Sequence, residues 1–301
     1  MTLPNFLVIG AMRTGTTTLT RLLVQHPEVF IPQQEVFFFD RYPPGEPLPL
    51  EDYAKWFEGV RGEKAVGEKS PVYLYLPWIP GRIREALGAD VRLLVNLRNP
   101  IERACSHYWF NVYRMQETLT FEEAIEREEK RAAGRGHRRF RYRARGYYMR
   151  QLRPFLEVFG REKLHITLSE RLYADPAGTM REVFRFLGVD DGFEVKADFK
   201  RDPPRPPKFL RLHLALSGPR VRLEKVAPAR KAISGFLKLL PKYPDRGFLP
   251  MHPATRAFLR ESFAGEVREL SGLLGVDLGR WWPDFAEGGA NRASGEGGRH
   301  G

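Results

Sequence analysis

One cysteine, Cys105, is all that this 301-residue chain contains, so no intrachain disulfide can form and the fold must hold by packing alone. The residue lies in an apolar helical stretch and reads as a small hydrophobe. Long apolar runs are also missing: none approaches the roughly 20 residues that span a bilayer. No cluster of His, Cys and Asp has metal-ligand spacing, so no metal site is expected. The first strand-like run begins at Phe6, which predicts no room for a signal peptide or membrane anchor. With the lone cysteine, this predicts a soluble protein in a reducing, cytoplasmic setting. Acidic residues are the minority, 37 against 49 Lys and Arg, which leaves a net charge of +12. A basic balance suits an anionic ligand, glycan, nucleic acid or membrane surface, and by itself selects none of them.

What is present starts with N-F-L-V-I-G-A-M-R-T-G-T-T-T, Asn5 to Thr18. Phe6 to Ile9 form a short apolar run typical of a buried parallel strand. Gly10 and Gly15 bracket a tight loop, and Thr16 opens a helical pattern through Leu19, Leu22 and Leu23. A strand, a glycine-containing loop and a helix N-terminus make an anion cradle, because backbone N–H groups and the helix dipole converge on one point. Thr14, Gly15, Thr16, Thr17 and Thr18 are its candidate ligands.

A second absence decides which anion. Triphosphate loops read G-x-x-x-x-G-K-[ST], with Lys on the terminal phosphates and the hydroxyl on magnesium. Here Thr16 stands where that Lys belongs, and Arg13 is the only cation of the loop. The second core strand, Val91 to Leu97, ends in Arg98 rather than in a magnesium-holding Asp. The loop therefore suits an anionic nucleotide bound without a divalent metal.

Three further segments carry a resemblance: L-L-V-N-L-R-N-P-I-E-R-A-C-S-H-Y (Leu93 to Tyr108), Q-E-V-F-F-F-D (Gln34 to Asp40) and E-K-S-P-V-Y (Glu68 to Tyr73). With the loop, they make the chain resemble the sulfotransferases that use 3′-phosphoadenosine-5′-phosphosulfate (PAPS), in the heparan-sulfate-type carbohydrate branch and its bacterial relatives. The resemblance covers roughly Phe6 to Trp282. It implies an α/β, P-loop-like three-layer fold, with a central parallel sheet flanked by helices. It places the 5′-phosphosulfate on the loop, the 3′-phosphate on Arg98 and Ser106, and the general base at Glu35. Lys69 matches a basic residue near the transferred group. Arg13 stands where the family most often has Lys; a guanidinium can stabilise a departing phosphate but cannot serve as a general acid. Gly146-Tyr147-Tyr148 resembles a segment near the nucleotide or acceptor, so Tyr147 is a further candidate. The family's C-terminal phosphate loop is poorly matched, with Arg246 and Gly247 as carry-overs.

The residues leave alternatives beside these roles. Glu35 could instead be a loop carboxylate capping an amide, and Phe37-Phe38-Phe39 could exclude water around it. Lys69 could pair with Glu68 or another acid. Arg98 could pair with Glu102 or Asp40, and His107 is an alternative base. The expected function is sulfuryl transfer from PAPS to a hydroxyl, less readily an amine, of a glycan or glycolipid. The alternatives are a kinase-like phosphotransferase on the same fold and a non-catalytic polyanion-binding module. No nucleic-acid partner is expected, and peripheral membrane contact is left open.

The pattern along the chain alternates strands and helices, as in a covered parallel sheet. Expected helices run over Thr16–Gln25, Pro77–Leu87, Tyr147–Phe159, Asp175–Gly188 and Pro253–Leu274, and expected strands include Lys64–Gly67 and Leu164–Leu168. Asn99-Pro100 and the capping box Thr120-Phe-Glu-Glu123 mark two further helix starts. The Arg-rich stretch from Arg131 to Arg145 reads as an exposed loop. One domain is expected over 1–285, with an irregular Pro-rich lid or insertion at 190–250 and a disordered tail at 286–301.

Overall fold

The computed structural model describes residues 1–131, 137–199, 206–222, 233–237, 239 and 248–286. In chain order the regular elements are β1 (Phe6–Gly10), α1 (Thr16–Leu23), β2 (Val29–Phe30), α2 (Leu50–Ala54), β3 (Ala65–Lys69), α3 (Ile79–Leu87), β4 (Arg92–Leu97), α4 (Pro100–Tyr113), α5 (Phe121–Glu126), α6 (Glu128–Arg131), α7 (Tyr148–Phe159), β5 (Leu164–Leu168), α8 (Ser169–Ala174), α9 (Pro176–Leu187) and α10 (Leu210–Arg222), followed by a helix over Pro253–Leu274. The five strands form one sheet in the order β2-β3-β1-β4-β5, and every neighbouring pair is parallel. This is the expected α/β architecture, a parallel sheet flanked by helices.

Contacts divide the chain into two compact units: residues 1–99, 147–199 and 264–301, and residues 100–146 with 200–263. The first holds the whole sheet. β1 is buried along its full length, and alternation sends Phe6 and Val8 to one face. There they pack with Leu94 of β4, with Leu19, Leu22 and Leu23 of α1, and with Met180, Val183, Phe184 and Leu187 of α9. Truncating a side chain such as Phe184 to Ala would cost about 3–5 kcal/mol, lost transfer energy plus a cavity. The start of α9 follows from sequence: the Asp175 carboxylate accepts from Gly178 N at 2.9 Å, and Pro176 occupies the first turn. Its end follows as well, because Gly188 adopts the left-handed conformation that closes the helix.

In the second unit, Thr120 and Glu123 form the capping box expected at α5. The Arg131–Arg145 stretch departs from the expectation of an exposed loop. Tyr142 and Arg145 are buried there, and the Tyr142 hydroxyl donates to the fully buried Glu117. Glu117 also takes two hydrogen bonds from Arg131. Residue-type counting sees only the charge of this stretch, and the aromatic anchor between the arginines turns part of it inward. Within 190–250, expected to be irregular, the described residues include the helix α10 over Leu210–Arg222. Among the described residues no helix is long and apolar enough to cross a membrane.

Candidate active site

In open parallel sheets, ligands bind beyond the carboxyl ends of the strands, where the strand order switches direction. Here β1 lies between β3 and β4, so the loop after β1 stands at such a switch. Three candidate groups leave the sheet at adjacent carboxyl ends: Lys69 as the last residue of β3, the loop 11–15 after β1, and Arg98 directly after β4. Sequence spacing alone could not place them side by side; the strand order does.

The loop has the expected cradle form. Gly15 precedes α1 at φ 89, and no side chain caps the helix, so the first-turn N–H groups remain available to an anion. A side chain at Gly15 would be strained at that φ and would meet Ser169, Asn96 and Tyr173 at 3.4–3.5 Å. Thr14 is fastened inward. Its hydroxyl shares its one proton between the carbonyls of Ala11 at 2.7 Å and Asn96 at 2.5 Å. Its own carbonyl accepts from the Asn96 amide and the Ser169 hydroxyl. Thr14 is therefore a fastener of the cradle through its hydroxyl. Thr18 bonds Tyr173 Oη at 3.0 Å. Thr17 stays near the cation, with Lys69 Nζ 3.4 Å from its hydroxyl.

The Glu35 carboxylate forms an ion pair with Lys69 Nζ at 3.1 Å, with side chains 35% and 11% exposed respectively. Lys69 thus pairs with Glu35 rather than with Glu68, which alternation along β3 turns to the opposite face. Base candidate, cation and cradle are linked through Lys69. The aromatic run does not form a dry wall around Glu35: Phe38 stacks on Tyr53 at 4.2 Å, and Phe39 packs against Tyr53 and Tyr73. Only Phe37 is partly exposed.

Glu68 is the residue that sequence reasoning underused. It is fully buried, and its carboxyl accepts from Tyr53 Oη at 2.8 Å, Tyr73 Oη at 3.0 Å and Ser70 Oγ at 2.8 Å. Burial pushes this carboxyl up to about 7; the three hydroxyls pull it down in part, and the charge of Asp40 adds to the rise. Burial and the Glu68 charge in turn raise the Tyr53 and Tyr73 phenols. The available signal was a charged residue inside the strand A-V-G-E-K. Asn96 carries the same kind of signal, a polar interruption of the buried run L-L-V-N-L.

Arg98 is half-buried, and its carbonyl accepts from Tyr148 Oη at 2.8 Å. Of the two acids considered as its partners, Glu102 is taken by Arg256. Tyr147 stands at the start of α7 with the Arg150 guanidinium over its ring at 4.3 Å. Ser106 belongs to α4 in the second unit and is buried. His107, also on α4, is fully buried with its ring edge-on to Tyr142 at 4.9 Å. Arg246 and Gly247 lie outside the described residues. Among the described residues no group of three His, Cys, Asp or Glu could hold a metal ion.

The sulfotransferase domain model matches residues 3–197. Heparan sulfate glucosamine 3-O-sulfotransferase 3A1 of Mus musculus is 32% identical over 188 residues, 62% of this chain and 46% of that protein. The membrane-associated sulfotransferase kil1 of Dictyostelium discoideum is 32% identical over 151 residues, 46% of this chain and 31% of its own length. The chain thus spans less than half the length of these relatives. A crystal structure of a sulfotransferase from Alicyclobacillus acidocaldarius is similar over 93% of this chain and 99% of that one, with 30% identity and a TM-score of 0.71. The chain belongs to the sulfotransferase family.

Proposed function

We propose that this chain transfers a sulfuryl group from PAPS to a hydroxyl, less readily an amine, of a glycan or glycolipid, with Glu35 as general base. One observation carries the reading: the 3.1 Å pair of Glu35 with Lys69, itself beside Thr17 in the first turn of the cradle helix. A proton acceptor, a cation and an anion site share one end of the sheet, and Arg98 leaves the next strand.

PAPS supplies an activated sulfuryl group on a phosphate leaving group. The uncapped N-terminus of α1 suits the 5′ end, and Arg98 suits the 3′-phosphate, where a guanidinium makes two parallel hydrogen bonds. Glu35 takes the proton of the acceptor hydroxyl as its oxygen bonds to sulfur. Lys69 and the helix N-terminus offset charge on the sulfuryl oxygens. Arg13 stabilises the phosphate, which departs with the electron pair of the broken sulfur–oxygen bond. The acceptor class follows the heparan sulfate relatives, and the cytoplasmic setting rests on the single cysteine.

The test is ligand-linked stability. 3′-Phosphoadenosine-5′-phosphate (PAP) without magnesium should stabilise the chain by about 2.7 kcal/mol at a hundredfold excess over its dissociation constant. ATP with magnesium should do much less; equal or greater stabilisation would favour the phosphotransferase.

A further inference from the structure

The proposed base sits on a segment without regular hydrogen bonding. Residues 31–38 belong to no helix, strand or turn, and Phe37 holds a left-handed φ of 51, which a bulky side chain disfavours. Three consecutive amides fasten this backbone to only two hydroxyls. Phe37 N donates to Ser70 Oγ at 2.9 Å, while Phe38 N and Phe39 N donate to Tyr73 Oη at 2.7 and 3.1 Å. Each hydroxyl has one proton and two lone pairs. Both protons go to Glu68, at 2.8 Å from Ser70 and 3.0 Å from Tyr73. The carboxyl therefore sets the direction of both hydroxyls and leaves lone pairs facing the amides. Its neighbour Lys69 meets Glu35 from the other face of the strand.

We infer that Glu68 is a positioning residue: through Ser70 and Tyr73 it fixes the backbone after Glu35 and so aims the Glu35 carboxylate at the acceptor. The inference rests on Glu35 being the base, but its first readout is independent of that. In Glu68→Gln, an amide N–H₂ replaces one acceptor oxygen and opposes the hydroxyl it meets.

The experiment measures hydrogen exchange on the full chain, then kinetics. Glu68→Gln should raise exchange at the Phe37, Phe38 and Phe39 amides about tenfold or more. It should lower kcat about ten- to a hundredfold and leave PAP affinity within about twofold. On a Glu35→Gln background, the same change should lower the residual rate less than about twofold, since it acts through Glu35. Unchanged exchange at these amides, or equal losses on both backgrounds, would overturn the inference. Should Glu68→Gln fail to fold, Ser70→Ala removes the Phe37 attachment and one hydroxyl from Glu68, and leaves the Tyr73 attachments of Phe38 and Phe39 in place. It should release that amide and slow kcat with PAP affinity kept; normal kcat would overturn the inference. A wild-type chain without sulfuryl transfer, but with amides that Glu68→Gln releases, would defeat the proposed function and keep the clamp.

Discussion

The cradle loop 11–15 and the segment 35–39 carry the two halves of the proposed chemistry, and each contains a non-glycine residue in the left-handed region, Arg13 at φ 71 and Phe37 at φ 51. They are held differently. The cradle is fastened by neutral groups: the Thr14 and Ser169 hydroxyls and the Asn96 amide, tied to one another and to the loop carbonyls. The base segment hangs on hydroxyls that all converge on the Glu68 carboxyl. The first arrangement has no titrating member near neutral pH, whereas the second has one, moved by burial into that range. The phosphate end should therefore keep its shape across pH, and the base end should not.

Loss of the base should act most strongly on rate. Glu35→Gln should lower turnover about 10² to 10⁴-fold, roughly 3–5 kcal/mol at the transition state, with PAP affinity and melting temperature nearly unchanged. Kinetics and ligand titration on one preparation check it. A structural Glu35 would instead give lost stability with modestly reduced turnover.

Next in size is the pH dependence of stability. The Glu68 carboxyl is raised from 4.5 to about 7 in the folded state, so between those values the folded chain binds more protons than the unfolded one. The stabilisation is present in full below about pH 4.5 and is lost as pH rises to about 7. Its span is on the order of 3 kcal/mol. Denaturant unfolding of wild type and Glu68→Gln across that window should show the wild-type advantage shrinking as pH rises. Parallel curves would remove Glu68 as the titrating group.

Arg98→Ala should weaken PAP binding by about 2 kcal/mol, the scale of a hydrogen bond to a charged group, and by much less for an analogue without the 3′-phosphate. Calorimetry with both ligands checks this; equal losses would make Arg98 structural. The smallest effect expected is that of Thr14→Val, which removes the hydroxyl fastener of the cradle. It should cost about 1 kcal/mol of stability, with the same value at pH 5 and pH 8. A pH-dependent loss would erase the contrast between the loops.

The difference between the loops also explains what could be read from sequence. The cradle is local: its glycines, threonines and apolar flanks lie within Asn5 to Leu23, and strand, turn and helix follow from their order. The bounds of β5, α9 and the helix Pro253–Leu274 were legible for the same reason, through caps and period. The base segment is not local. Its fasteners are Ser70 and Tyr73, more than thirty residues away, and no periodicity links 37 to 70. E-K-S-P-V-Y was visible as a motif, but its first residue needed three-dimensional burial to show its role. Likewise the fastening role of the Thr14 hydroxyl cannot be read until Asn96, 82 positions on, is seen to receive it.

The cradle and Glu35 are proposed to serve sulfuryl transfer. The most direct measurement supplies sulfur-labelled PAPS and a panel of glycan and glycolipid acceptors, in chelator without magnesium, beside γ-labelled ATP with magnesium. Sulfur label is expected on an acceptor hydroxyl, with one PAP released per group transferred and no phosphate label. Phosphate on the acceptor from ATP, with no sulfur label from PAPS, would overturn the proposed reaction.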